Sequence, residues 1–115
     1  MFKLFSIFLI FLSLSHGEDS KRYSCKMTAL NMVPVTERQK ASFGEISNPI
    51  LIINSIKAKI VWGENSISYK YKMTDPRTTF EIYLDDTGVE KLNITSSRDT
   101  VIMASGQNVV HYDCR

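Results

Sequence analysis

Four kinds of residue in this chain could do chemistry: two cysteines, a histidine beside an acid, a set of lysines and one glycosylation-type triplet. Cys25 and Cys114 lack the Cys-x-x-Cys spacing of redox and metal-binding thiols and have no ligand-type neighbours, so they are expected to bond to one another. His111 and Asp113 alternate along one strand and share a face, where the imidazole could act as a general base. No nucleophile can be identified to go with them, and a surface histidine beside an exposed acid is the simpler reading. The other histidine, His16, falls in a segment expected to be removed, which leaves no multi-histidine metal site. Asp85-Asp86 lacks the further oxygen ligands of a calcium loop and reads as a turn. Neither metal nor cofactor is therefore expected. Asn93-Ile94-Thr95 fits the N-glycosylation acceptor pattern, which matters only in a eukaryotic host.

Lys57, Lys59, Lys70 and Lys72 recur at alternate positions of two successive apolar runs, which puts all four on one face of a hairpin. Such a face could dock an acidic partner or a polyanion. A solvated, edge-protecting face aided by Glu81 is the plainer account. The aromatic neighbours Trp62, Tyr69 and Tyr71 alternate inward, and bases need exposed rings to stack on, so nucleic acid is not an expected partner.

The elements that position these residues begin after a leader. Met1-Phe2-Lys3, the apolar run from Leu4 to Leu14 and the exit Ser15-His16-Gly17 are the three parts of a secretory signal peptide, and a run of about 11 residues is too short to span a bilayer. Cleavage after Gly17 leaves 18–115 as a single exported domain, periplasmic or extracellular, with no further segment apolar enough to be an integral membrane span. Loss of Lys3 reduces 14 basic residues to 13 against 12 acidic ones, a balance with no pull toward nucleic acid or anionic membrane.

Tyr23, Cys25 and Met27 alternate against Ser24, Lys26 and Thr28, a first strand running to about Leu30 that Pro34 closes. Thr36 with Gln39 matches a capping box and Gly44 sits where a helix would stop, so the stretch from Glu37 to Phe43 is either a two-turn helix or a polar loop. Asn48-Pro49 marks a turn, and from Ile50 onward apolar runs recur between turn residues. Setting Trp62 and Ile67 about a four-residue loop places Ile60 opposite Tyr69, Ala58 opposite Tyr71, Lys57 opposite Lys72 and Lys59 opposite Lys70. A loop from Thr74 to Arg77 then sets Tyr71 opposite Phe80, Tyr69 opposite Ile82 and Ile67 opposite Leu84. A bulged loop with Gly88 at positive φ sets Ile82 opposite Leu92 and Phe80 opposite Ile94. The final hairpin, turned at Ser105-Gly106-Gln107-Asn108, pairs Met103 with Val110 and Val101 with Tyr112. All these residues fall on one face with Cys114, the expected core.

Seven or eight antiparallel strands in so short a chain make an all-β barrel or sandwich, with the first and last strands adjacent and joined by the disulfide. The barrel is preferred because it removes its own sheet edges. The same counting sends Ile102, Ala104, Val109 and His111 outward together, unusual company for a solvent face. Either the segment 31–47 folds over them, burying Val33, Val35 and Phe43, or they form a binding patch tipped by Ser105, Gly106, Gln107 and Asn108. A rigid stapled scaffold without a catalytic set points to an exported binding or inhibitory module for a protein partner, and not to an enzyme. The alternative is a carrier of a small apolar ligand in the barrel lumen, which aromatic side chains should fill. A hydrolase built on His111 and Asp113 is the third reading.

The layout of leader, Tyr23-x-Cys25 on the first strand, β meander and terminal Cys114 resembles the small periplasmic lysozyme inhibitors of bacteria. Ser105-Gly106 before an aromatic-bearing strand is similar to part of their inhibitory loop, so the resemblance implies inhibition through that loop. The tryptophan and the Lys-Gly pair that complete the loop in those proteins are missing here.

Overall fold

A computed structural model of the protein describes residues 20–115, and the leader expected over 1–17 lies outside them. Nearly every alternating run becomes a strand: β1 (Lys21–Leu30), β2 (Val33–Pro34), β3 (Ile50–Ile53), β4 (Lys57–Trp62), β5 (Asn65–Thr74), β6 (Glu81–Leu84), β7 (Lys91–Ile94), β8 (Thr100–Ser105) and β9 (Asn108–Cys114). Between β2 and β3 stand α1 (Glu37–Phe43) and a single 3-10 turn (Gly44–Ser47). β1 pairs with β3 through Lys21–Ser24 and then with β9 through Cys25–Leu30, so one long strand closes the sheet on itself. The result is an antiparallel barrel of eight strands, with β2 as an extra two-residue strand beside β1. Closure removes the unpaired edges that a sandwich would keep. Cys25 and Cys114 stand directly opposite across the seam and are bonded, their Cα atoms 4.0 Å apart.

The segment that could be helix or loop is helix. Thr36 Oγ1 accepts from the Gln39 N–H at 3.2 Å while Gln39 Oε1 accepts from the Thr36 N–H at 2.8 Å, so both halves of the capping box form. Gly44, at φ 72°, ends the helix. Pro34 does more than close β1. The chain reverses at Asn31-Met32, and Pro34 pairs with Ala29 at the outer margin, where a missing N–H is no loss.

Two registers differ from expectation. Trp62 pairs with Asn65, so the β4–β5 loop is only Gly63-Glu64, and Ile60 lies opposite Ile67 and Ala58 opposite Tyr69. Gly63 sits at φ 59°, in the position that a II′ hairpin loop reserves for glycine. The shorter loop adds ladder pairs, and because the slip is two residues the faces are unchanged. Lys57 therefore opposes Lys70, and Lys59 opposes Ser68.

At β5–β6 the face itself changes. A bulge between Tyr71 and Met73 turns Met73 outward opposite Ile82, and the loop runs on to Phe80, where Asp75 N–H donates to the Phe80 carbonyl at 2.9 Å. The strand thus starts at Glu81 with reversed parity. Tyr83 is fully buried opposite Leu92, Glu81 lies opposite Ile94, and Phe80, Ile82 and Leu84 are half-buried outside the core that was expected to hold them. Glu81 can face inward because Arg98 Nη1 lies 2.6 Å from its Oε1 and the Tyr83 hydroxyl donates to the same oxygen at 3.0 Å. Tyr71 stays at the barrel's end, 41% exposed, its ring edge-on to Tyr83 at 5.5 Å.

The final hairpin pairs as counted, Met103 with Val110 and Val101 with Tyr112. The lumen is filled by Tyr69, Tyr83 and Tyr112 with Leu51, Ile60, Leu92, Ile94 and Val101, around the disulfide. Trp62 and Ile67, expected inside, pack against this core while partly buried.

Candidate functional site

Four turns share one end of the barrel: those after β1, β4, β6 and β8. Because β1 lies beside β9, the β1–β2 and β8–β9 turns are neighbours. The β8–β9 loop is Gly106-Gln107, closed by the Ser105–Asn108 pair, with Gly106 at φ 62°. The β1–β2 loop is Asn31-Met32, closed by Leu30 and Val33, and both central residues are left-handed, at φ 51° and 70°. Asparagine tolerates that conformation, whereas methionine does not favour it.

Asn31 holds the two loops together. Its N–H donates to the Val109 carbonyl at 2.7 Å, its Oδ1 accepts from the Val109 N–H at 2.8 Å, and its Nδ2 donates to Asn108 Oδ1 at 3.1 Å. Three bonds fix the loop, and Met32 projects beyond it, 76% exposed, followed by Val33 at 63%. The rim so formed joins Gly106, Gln107 and Asn108 to an apolar tip. Counting along β1 does not find this tip, since the loop contains no glycine. The available signal is Asn31, a residue that accepts positive φ, directly after an alternating run.

Beneath the rim lies a polar layer. Ser105 Oγ donates to Glu90 Oε1 at 3.0 Å, while Glu90 Oε2 and the Tyr69 hydroxyl are enclosed without a hydrogen-bond partner among the described residues. Burial pushes the Tyr69 hydroxyl well above the usual tyrosine range, and the charges of Glu90 and Asp85 add to this.

On the outer surface Asn93 stands opposite Ile102 and Ile102 opposite His111, with Ala104 opposite Val109 one step toward the rim. All are half-buried. The segment 31–47 does not cover them as one expectation had it: Ile46 and Val35 pack against the core, and the Tyr112 hydroxyl donates to the Ile46 carbonyl at 2.9 Å. Val33 and Phe43 remain exposed. His111 Nδ1 and Asn93 Oδ1 are enclosed without partners among the described residues. Asp113 turns its carboxylate toward Arg115, 3.7 Å from Nη2. Asn93 faces outward as counted, but its packing between strands works against the solvent access that a glycan acceptor needs.

Lys57, Lys59 and Lys70 are exposed on the outside of β4 and β5, whereas Lys72 sits at the bulge and leaves their row. Asp85 works within its own turn: desolvation is the largest single effect and raises its carboxyl, but the Thr87 hydroxyl at 2.8 Å, the Glu90 N–H at 3.1 Å and further backbone N–H groups together hold it below the usual range. Among the described residues no group of three or more His, Cys, Asp or Glu is placed to hold a metal ion, and no helix is long and apolar enough to cross a membrane. No protein-family model, curated protein or solved structure matches this chain.

Proposed function

We propose that the protein is an exported binding module that grips a protein partner with the rim made by its two neighbouring hairpin tips. The observation that carries this reading is Met32. A two-residue hairpin turn with both residues left-handed favours glycine at its second position, yet here a long apolar side chain stands there, strained and left in solvent, where it adds nothing to the barrel's own packing. An apolar anchor on a rigid support, with amide and glycine groups around it, is the make-up of a binding hot spot. Ile102, Val109 and His111 extend the same surface down the β8–β9 face. The disulfide fits an oxidising compartment, in keeping with the leader expected over 1–17. Three tyrosines in the lumen oppose the carrier alternative, and the orientation of Asp113 toward Arg115 opposes the hydrolase.

The test is capture of a partner from the protein's native medium or envelope. Wild type should retain one protein in stoichiometric yield and Met32→Gly should retain little. Equal yields from the two, or no partner with wild type, would overturn the rim. Ile102→Lys then shows how far the contact extends, because a half-buried lysine can snorkel and leave the fold intact.

A further inference from the structure

Around the barrel from the rim's seam, β3, β4 and β5 carry a groove of about 420 Å³ on their outer surface. Lys57, Lys59 and Lys70 line it together with Ile52 and Ser68. The depression arises because Lys59 is flanked across the ladder by the short Ser68 and on its other side by Ile52.

The charges here are arranged at a cost. Tyr71 N–H donates to the Ile56 carbonyl at 2.9 Å, so Lys57 and Lys70 form a non-hydrogen-bonded pair, the type in which opposed side chains lie closest, with Cα atoms ~4.5 Å apart. Like charges directly opposed in this way destabilise a sheet. Lys59 stands two residues along, ~7 Å away. No carboxylate lies within ion-pair distance of any of the three among the described residues. Asn54 adds a donor: its Oδ1 already accepts from the N–H groups of Ile56 and Lys57, both at 2.9 Å, which leaves the amide nitrogen for a ligand. The groove therefore offers three ammonium groups, the Ser68 hydroxyl and an amide N–H, with one acidic side chain, Asp86, at its margin.

We infer that this groove binds a tetrahedral dianion, the phosphate or sulfate group of a small ligand. A single carboxylate would neutralise only one of three ammonium groups gathered within one side chain's reach. A dianion with three or four free oxygens can accept from all of them and from Ser68 at once. A volume near 420 Å³ leaves room for more than the anion, and Asp86 gives the remainder of the ligand a hydrogen-bond acceptor suited to a hydroxyl. The site is independent of the rim and stands or falls without it.

The test follows backbone amide signals of the protein by NMR while inorganic phosphate, sulfate or a sugar monophosphate is added at ionic strength held constant with sodium chloride. Phosphate and sulfate should produce saturable shifts centred on Lys59, Ser68 and Lys70, and the sugar phosphate should bind tighter than inorganic phosphate. Lys57→Gln and Lys70→Gln, both at exposed positions that leave the fold intact, should each weaken binding at least tenfold, while Lys26→Gln on β1 should not. Asp86→Asn should tighten inorganic phosphate but erase the advantage of the sugar ester. Shifts that do not saturate, or equal weakening by Lys26→Gln, would overturn the site. A sugar phosphate no tighter than phosphate would overturn the ester and its Asp86 contact.

Discussion

Met32 and Gly88 hold similar φ angles in their hairpin loops, but only one of them is the residue that such an angle favours. Gly88, at φ 76°, lets the β6–β7 loop close, and a Cβ there would meet nothing within 4 Å. Replacing it by valine therefore adds backbone strain alone and should lower stability by about 1 to 2 kcal/mol, read from urea melts, with asparagine costing less. Unchanged stability in the valine variant would mean that the loop takes another form. Met32, at φ 70°, closes the two-residue β1–β2 turn in the same way, but with a side chain that makes the angle strained. Met32→Gly relieves it, although glycine's greater freedom in the unfolded chain offsets about 0.5 to 1 kcal/mol of the gain. The melting temperature should hold or rise slightly, which separates lost binding from lost fold. A fall of several degrees would instead make Met32 part of the scaffold.

Among the elements, β6 depends on a partner distant in sequence. Glu81 and Arg98 each keep about one fifth of their side-chain exposure, and Tyr83 donates to the same carboxylate. Removing Arg98 alone leaves a largely enclosed charge, so Arg98→Gln should cost about 2 to 3 kcal/mol. The double variant Glu81→Leu with Arg98→Gln removes the stranded charge and should recover much of that loss. A double variant less stable than the single one would show that β6 does not face inward for this reason. The turn before β8 makes a second prediction. Hydroxyls of Ser97 and Thr95, each 2.8 Å from Asp99 Oδ1, hold that carboxyl below its usual 3.8, as the Asp85 turn holds its own. A depressed folded value means that these turns contribute in full above the ordinary pKa and lose their contribution as pH falls through the folded one. Acid melts should therefore be flat down to about pH 4 and steepen only below it. A loss of stability beginning well above that pH would place its origin elsewhere.

For the molecule as a whole, the β1–β9 pairing that closes the barrel is held by one covalent bond as well. Cys25 and Cys114 are 89 residues apart, and a loop of that length contributes about 4 to 5 kcal/mol in the chain-entropy account. Reduction should lower the melting temperature by tens of degrees, at 4 to 8 °C per kcal/mol. Free thiols found by mass spectrometry after alkylation without reduction would refute the staple. The filled lumen sets the alkaline limit. Burial, the hydrogen bond to Glu81 and that carboxylate's charge, against the opposing pull of Arg98, push the Tyr83 hydroxyl from 10.0 up to about 12, and burial raises Tyr69 and Tyr112 further. The folded barrel holds these protons more tightly than the unfolded chain, so their contribution is complete below pH 10 and is lost as pH rises through 12. Tyrosinate absorbance from these three rings should appear together with the loss of β-sheet circular dichroism. Ionisation that runs ahead of unfolding would mean that the lumen is wet.

Short loops and strict alternation were enough to determine some of this from sequence alone. The β8–β9 hairpin has one register that keeps Val101, Met103, Val110 and Tyr112 together, so its pairing, the disulfide that follows it and the outward set of Ile102 and His111 could all be counted. Thr36, Gln39 and Gly44 likewise carried the helix ends in their own chemistry, although only the structure chose helix over loop. The β4–β5 slip escaped counting because a shift of two residues leaves every side chain on its face. In β6, Phe80-Glu81-Ile82-Tyr83-Leu84 has a large apolar or aromatic side chain on each face, so pattern favoured the face without a charge, and only Arg98, folded back from another turn, makes the opposite face the stable one. The rim is tertiary in the same sense. Asn31 and Asn108 are 77 residues apart, and Met32 becomes an exposed tip on a rigid support only once β1 has closed the barrel against β9.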